Sequence, residues 1–99
     1  MRYEIERTEY FDLWLKKLRD RQAVLAINKR LTRVTLGNFG DYKEVGADIF
    51  ELRFFIGPGY RVYFTIRDET IVLLLCGGDK SSQEVDIKRA VNMARNMEN

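Results

Sequence analysis

The chain has 99 residues, a formal net charge of +2 and 45% hydrophobic residues, which fits one globular domain that we expect to span residues 1–99. It contains no histidine and one cysteine, so histidine-based acid–base catalysis, most zinc sites and an internal disulfide are excluded. The longest apolar run, at 71–76, has six residues, far fewer than a bilayer-spanning helix needs. Because no signal peptide is visible either, we expect a cytoplasmic protein without a membrane partner.

The N-terminal part of the chain predicts a strand followed by a helical hairpin. Residues 2–6 alternate between polar and apolar side chains, which is typical of a strand. Thr8 and Asp20 each precede a run with apolar residues at helical spacing and are suitable N-caps. Gly37 fits the left-handed position that follows a helix. We interpret Trp14, on the first helix, as a core residue rather than a ligand contact.

The C-terminal part predicts a three-stranded meander followed by one helix. Strands at 48–56, 60–66 and 71–76 are separated by short turns rich in glycine and polar residues. A helix from Ser81 to about Met97 follows, with Ser81 and Glu84 forming a capping box. The predicted order is β-α-α-β-β-β-α. This order defines an α+β fold with a small, mainly antiparallel twisted sheet and helices packed on one face.

Charge is distributed unevenly along the predicted helices. Residues 16–33 contain seven cations and one acid. A basic stripe of this kind suits a polyanionic partner such as RNA, although helix surfaces are also often basic for solubility alone. The basic residues are Lys16, Lys17, Arg19, Arg21, Lys29, Arg30 and Arg33.

Alternation along the strands places three polar side chains on the sheet face that we expect to lie away from the helices. If Ile56 pairs with Tyr60 across the GPG turn, Arg53 lies opposite Tyr63, with Arg61 on the diagonal. Two guanidinium groups and a phenol would then share one surface. The alternative is that these are ordinary surface ion-pair residues of little energetic value.

The segment GGDKSSQ, residues 77–83, follows the last strand and adds a third cation. The predicted register places Cys76 opposite Arg61, so that Lys80 emerges at the same end of the sheet. Three cations and a phenol suit an anionic ligand, because arginine binds phosphate oxygens through a bidentate fork. The segment lacks the GxxxxGK[ST] pattern of a phosphate-binding loop. We predict no metal and no cofactor.

Four stretches carry a family resemblance: FDLWLKKLRD, LGNFGDYKEVG, FELRFFIGPGYRVYF and LLLCGGDKSSQEVDIKRA. In these stretches the chain resembles the RelE/ParE superfamily of bacterial toxins from type II toxin–antitoxin systems. It is most similar to the phage-type, HigB-like "addiction module killer" branch, to which the GPGYRVY and GGDKSSQ blocks are quite specific. The predicted order of elements agrees with the fold of that superfamily.

The resemblance implies a metal-independent endoribonuclease, an mRNA interferase that cuts mRNA by 2′-OH attack, usually at the ribosome, and so inhibits translation. It implies that Arg61 clamps the scissile phosphate and that Arg53 and Lys80 are further catalytic cations. Lys80 and Tyr63 are then candidates for proton transfer, since Asp86 stands near the position of the archetype's C-terminal aromatic residue. The basic residues of the helices would contact RNA and the ribosome.

The resemblance also implies a protein partner, a cognate antitoxin that we expect to be a small helix-turn-helix protein. Two other functions stay open at this point, because a fold does not determine a function. One is a non-enzymatic ParE-like inhibitor of DNA gyrase. The other is a binding module that has lost toxicity.

Overall fold

The computed structural model describes residues 2–97. Its elements, in chain order, are β1 (Glu4–Arg7), α1 (Glu9–Lys17), α2 (Arg21–Thr35), β2 (Tyr42–Gly46), β3 (Ile49–Arg53), β4 (Tyr60–Arg67), β5 (Ile71–Asp79), a single 3-10 turn (Lys80–Ser82) and α3 (Gln83–Asn96). The strands form one sheet in the order β1-β5-β4-β3-β2. Strand β1 runs parallel to β5, and the other pairs are antiparallel. The predicted α+β class with a mainly antiparallel sheet is confirmed.

The sequence-based prediction missed strand β2. Its residues, YKEVG, are mostly exposed because β2 is an edge strand, so they lack the regular apolar alternation that marks a half-buried strand. A register shift between Glu44 and Gly46 in its pairing with β3 interrupts the pattern further. The observed order is therefore β-α-α-β-β-β-β-α.

Helices cover both faces of the sheet, so the prediction that they pack on one face was wrong. Helices α1 and α2 pack on the face that carries Leu52, Phe64 and Leu74. Helix α3 packs on the opposite face, where Ala90 lies in a second apolar cluster that includes Leu75. The run IVLLLC in β5 explains why both faces of the sheet are covered. A strand that is apolar at successive positions must bury both of its faces.

Helix starts follow the predicted caps in two cases out of three. The Thr8 hydroxyl accepts the N–H of Phe11 at 3.0 Å, and Asp20 accepts the N–H of Ala23 at 3.1 Å. The predicted capping box of Ser81 and Glu84 is wrong. The box forms instead around the 3-10 turn, where Asp79 caps and Ser82 returns the hydrogen bond, because β5 continues to Asp79 and delays the helix.

Gly37 follows Leu36, the C-cap of α2, with a φ of +89°, as a left-handed residue after a helix should. Within residues 2–97, no helix combines the length and the apolar character that crossing a bilayer requires.

Candidate functional site

The pairing of β3 with β4 differs from the predicted register by two residues. Arg53 lies opposite Arg61, and Glu51 lies opposite Tyr63, so the predicted pairing of Arg53 with Tyr63 was wrong. The difference arises because the connection between the strands is longer than a tight GPG turn and closes with a hydrogen bond from Phe54 N–H to the Tyr60 carbonyl. A shift by an even number keeps every side chain on its predicted face.

The pairing of β4 with β5 also differs from the prediction. Gly78 rather than Cys76 lies opposite Arg61, and Cys76 lies opposite Tyr63. Ile66 pairs with Val72, and Leu75 is an extra residue of β5 that forms a bulge opposite the step from Tyr63 to Phe64. This bulge contributes one residue to the offset. Strand β5 therefore runs further than predicted.

Arg61 is the best-defined cation of the site. Arg61 is only 7% exposed. Its Nη1 donates to the carbonyls of Gly59 at 3.3 Å and Tyr60 at 3.5 Å, which ties the guanidinium to the turn before β4. Its Nε lies 3.7 Å from Oε1 of Glu51, an ion pair too long to be a hydrogen bond. The guanidinium is thus fixed in place while part of its donor capacity stays unused.

Glu51 links the sheet to α3 beneath Arg61. Its side chain is fully buried, and its Oε2 accepts a hydrogen bond from Nε2 of Gln83 at 2.8 Å. Gln83 is the first residue of α3. We call Glu51, Arg61, Tyr63 and Gln83 the Arg61 cluster. Sequence reasoning did not single out Glu51 or Gln83, because nothing in the sequence connects positions 32 residues apart.

Tyr63 belongs to the Arg61 cluster but is not on an open surface as predicted, because α3 covers it. Its side chain is fully buried, and burial, with the nearby Glu51 carboxylate, raises the pKa of its hydroxyl far above the ordinary value. The hydroxyl stays neutral and cannot act as a base. Within the described residues, Tyr63 Oη, Arg61 Nε and Glu51 Oε1 are buried without a hydrogen-bond partner. Buried groups without partners are uncommon in native structures, which makes the Arg61 cluster a candidate functional site.

Arg53 lies opposite Arg61 but pairs with Asp41 instead of joining the Arg61 cluster. Its Nη2 binds Oδ1 of Asp41 at 2.8 Å, and this hydrogen bond is the main reason that its pKa is raised. The sequence correctly predicted that Arg53 lies near Arg61 on the sheet. It did not predict that the Arg53 guanidinium pairs with Asp41, the residue before β2.

Lys80 is exposed and lies beside the same turn as Arg61. A Cβ placed on Gly59 would lie 3.6 Å from Nη1 of Arg61 and 3.6 Å from Cβ of Lys80, so both residues flank Gly59. Asp79, the residue before Lys80, accepts hydrogen bonds from the N–H and hydroxyl of Ser81. These bonds lower the pKa of Asp79 and fix the turn that carries Lys80.

Asp86, which stands near the position of the archetype's C-terminal aromatic residue, is buried. Its Oδ2 accepts from the Ser82 hydroxyl at 2.5 Å and its Oδ1 from Nη1 of Arg89 at 2.9 Å. The carboxylate reaches β5 because Gly78 has no side chain, since a Cβ there would lie 1.8 Å from Oδ2. A glycine in a strand often indicates such a close approach. Gly78 was therefore the feature of the sequence that could have predicted this contact.

The basic residues of α1 and α2 are exposed, except that Arg30 is half-buried. The loop between these helices contacts the turn before β4, because a Cβ on Gly57 would lie 3.3 Å from Oδ2 of Asp20. The rings of Trp14 and Tyr60 also meet, with centroids 6.5 Å apart. Cations around this loop therefore border the end of the sheet that holds Arg61. They are Lys16, Lys17, Arg19 and Arg21.

No group of three or more metal-ligating side chains occurs within residues 2–97. The single thiol, Cys76, is buried, and burial together with Asp86 raises its pKa to about 12. It therefore stays protonated near neutral pH and is not a nucleophile.

The fold defined by this sheet and its helices is that of the RelE toxins. The free-state structure of a mutant of Escherichia coli toxin RelE superposes with a TM-score of 0.76 and 22% identity, covering 93% of this chain and 97% of that one. The RelBE2 toxin–antitoxin complex from Mycobacterium tuberculosis matches with a TM-score of 0.64 and 23% identity, over 81% of this chain and all of that one. The predicted resemblance in fold to the RelE toxins is thereby confirmed.

The chain belongs to the Gp49-like family of phage-derived proteins, whose family model matches residues 13–98. An uncharacterized protein of Haemophilus influenzae is 48% identical over 97 residues, which is 98% of each chain.

Proposed function

We propose that this protein is the toxin of a type II toxin–antitoxin module and that it acts in the cytoplasm as a metal-independent endoribonuclease on mRNA. The observation that carries the proposal is the immobilised, largely buried Arg61 guanidinium with Lys80 beside it, both flanking Gly59. The RelE fold supports it. The GPGYRVY and GGDKSSQ residues support a place in the HigB-like branch.

In the proposed reaction, the 2′-hydroxyl of one nucleotide attacks the adjacent phosphorus. The bond from O2′ to phosphorus forms as the 2′-hydroxyl proton passes to solvent water, and the bond from phosphorus to O5′ breaks. The products are a 2′,3′-cyclic phosphate and a 5′-hydroxyl. Arg61 stabilises the extra negative charge of the pentacovalent transition state, because its position is fixed before the substrate arrives. Lys80 is exposed and carries a proton that it can donate to the leaving 5′ oxygen.

Two sequence candidates have smaller roles in this proposal. Tyr63 stays neutral and fully buried within the Arg61 cluster, so it takes no part in proton transfer. Arg53 contributes positive charge near Arg61 but remains bound to Asp41. The exposed cations of α1 and α2 bind RNA and the ribosome through phosphate contacts, which weaken as salt increases.

A cognate antitoxin is the expected protein partner, since the similar structures include toxin–antitoxin complexes. We expect a small helix-turn-helix protein. Binding of this partner would restrain the toxin until the partner is degraded.

Brief expression of the protein followed by primer extension on a reporter mRNA tests the proposal. Cuts phased with codons are expected, and they should disappear in Lys80→Ala but not in Lys88→Ala, a matched exposed lysine on α3. Intact mRNA together with blocked DNA supercoiling would support a gyrase inhibitor instead. If neither effect occurs, the protein is a non-toxic binding module.

A further inference from the structure

Phe55 is an unusually exposed aromatic residue. Its exposed fraction is 81%, whereas the next most exposed large hydrophobic side chain within residues 2–97 is Leu25 at 63%. Phe55 lies in the connection between β3 and β4, two residues after Arg53. Apolar surface left in water is unfavourable, and a ring as exposed as that of Phe55 is therefore a candidate for a ligand contact.

A shallow cavity of about 200 Å³ adjoins Phe55. The connection contributes Phe55 and Ile56 to its lining, and α2 contributes Lys29, Arg30 and Arg33. Three of its lining residues are cations, and none is an acid. A concave surface that combines an exposed ring with unopposed positive charge is complementary to an anion that also has an aromatic face.

The cavity is rigid on the side formed by Arg30. Its guanidinium donates to the carbonyls of Phe39, Asp41 and Arg53 at 3.2–3.4 Å and stacks over the ring of Phe54 at 4.5 Å. These contacts hold the connection against α2. The position of Phe55 relative to Lys29 and Arg33 is therefore fixed before any ligand binds, which lowers the entropic cost of binding.

We propose that Phe55 stacks on a nucleobase of single-stranded RNA while Lys29 and Arg33 neutralise the neighbouring phosphates. Stacking on an aromatic ring tolerates any base, because every base has a π-face. Phe55 is two residues after Arg53, which lies opposite Arg61 on the neighbouring strand. In this proposal the stacked base therefore belongs to a nucleotide close to the scissile phosphate. The inference rests on the proposed function, because it assigns a base-binding subsite to the same RNA substrate.

The test is fluorescence anisotropy with a short, fully 2′-O-methylated oligoribonucleotide, which cannot be cleaved. Phe55→Ala should weaken binding roughly fivefold to 150-fold, which is the range for one lost base stack, and Phe55→Trp should retain it. Leu25→Ala removes an exposed apolar side chain elsewhere on α2 and should change nothing. Lys29→Gln and Arg33→Gln should each reduce the slope of log affinity against log salt by about 0.7.

The outcomes separate this inference from the proposed function. If the wild-type protein cleaves mRNA and Phe55→Ala binds the oligonucleotide as tightly as wild type, the inference is overturned and the proposed function stands. If Phe55→Ala keeps RNA affinity but loses affinity for the cognate antitoxin, the surface is a protein interface and the inference is equally overturned. If the wild-type protein neither cleaves mRNA nor binds the oligonucleotide, both proposals fail.

Discussion

Glu51 and Arg61 lie diagonally across two neighbouring strands, with Oε1 of Glu51 3.7 Å from Nε of Arg61 and both side chains nearly or fully buried. An ion pair in this position orients the guanidinium and compensates its charge in a poorly hydrated environment. The same carboxylate holds Gln83 at the start of α3. The carboxylate therefore joins the candidate phosphate clamp to the helix that covers it.

Removing the Glu51 carboxylate should destabilise the protein through the charge that it leaves behind. Glu51→Ala is expected to lower the free energy of unfolding by about 3–5 kcal/mol, because Arg61 is then buried without its partner. The double variant Glu51→Ala/Arg61→Ala should recover part of that loss. Urea unfolding of the wild type, Glu51→Ala, Arg61→Ala and the double variant measures the coupling, and additive effects would contradict a direct interaction.

The close approach of Asp86 to Gly78 should make Gly78→Ala costly. The new Cβ would overlap Oδ2 of Asp86 and approach the Ser82 hydroxyl at 2.9 Å, so we expect a loss of about 1–3 kcal/mol from forced repacking. Gly78→Ala should cost less in an Asp86→Ala background, where the clashing group is absent. Thermal unfolding of the four proteins of this cycle provides the measurement, and an equal cost in both backgrounds would disprove the clash.

Cys76 should make stability fall in alkaline solution. Its folded-state pKa is about 12, above its ordinary value of 9.0, so the folded protein retains a proton that the unfolded chain releases. Its stabilising contribution is complete below pH 9 and is lost between about pH 9 and 12, with a slope of up to about 1.4 kcal/mol per pH unit. Denaturant titrations from pH 8 to 10.5 should show a shallower decline for Cys76→Ala. Parallel curves for the two proteins would contradict the shift.

Strand parity, unlike strand register, was predictable from the sequence. Alternation with a period of two fixes the face of Arg53, Arg61 and Tyr63, and a slip of two residues between β3 and β4 leaves that face unchanged. The register depends on the length of the connection between β3 and β4 and on the bulge at Leu75 of β5, opposite Tyr63. Neither feature is encoded in the hydrophobic pattern, so the predicted partners were wrong while the shared face was right.

The covering of that face by α3 was missed for a different reason. The sequence showed polar residues at odd positions of the two middle strands, which suggested an open surface, whereas β5 is apolar on both sides. The fully buried Glu51 satisfies one oxygen through Gln83, which allows a polar cluster to exist beneath a helix. Such a contact between distant segments requires the fold itself.

The proposed role of Arg61 as the phosphate clamp of an mRNA endonuclease can be tested by the rate of mRNA cleavage by purified protein and ribosomes. Arg61→Ala should cut about 10²–10³ times more slowly than wild type, as expected for the loss of one fixed transition-state donor. Arg95→Ala, an exposed arginine at the end of α3, should cut at the wild-type rate, and circular dichroism should confirm that both variants are folded. Cleavage by a folded Arg61→Ala protein at the wild-type rate would contradict the account.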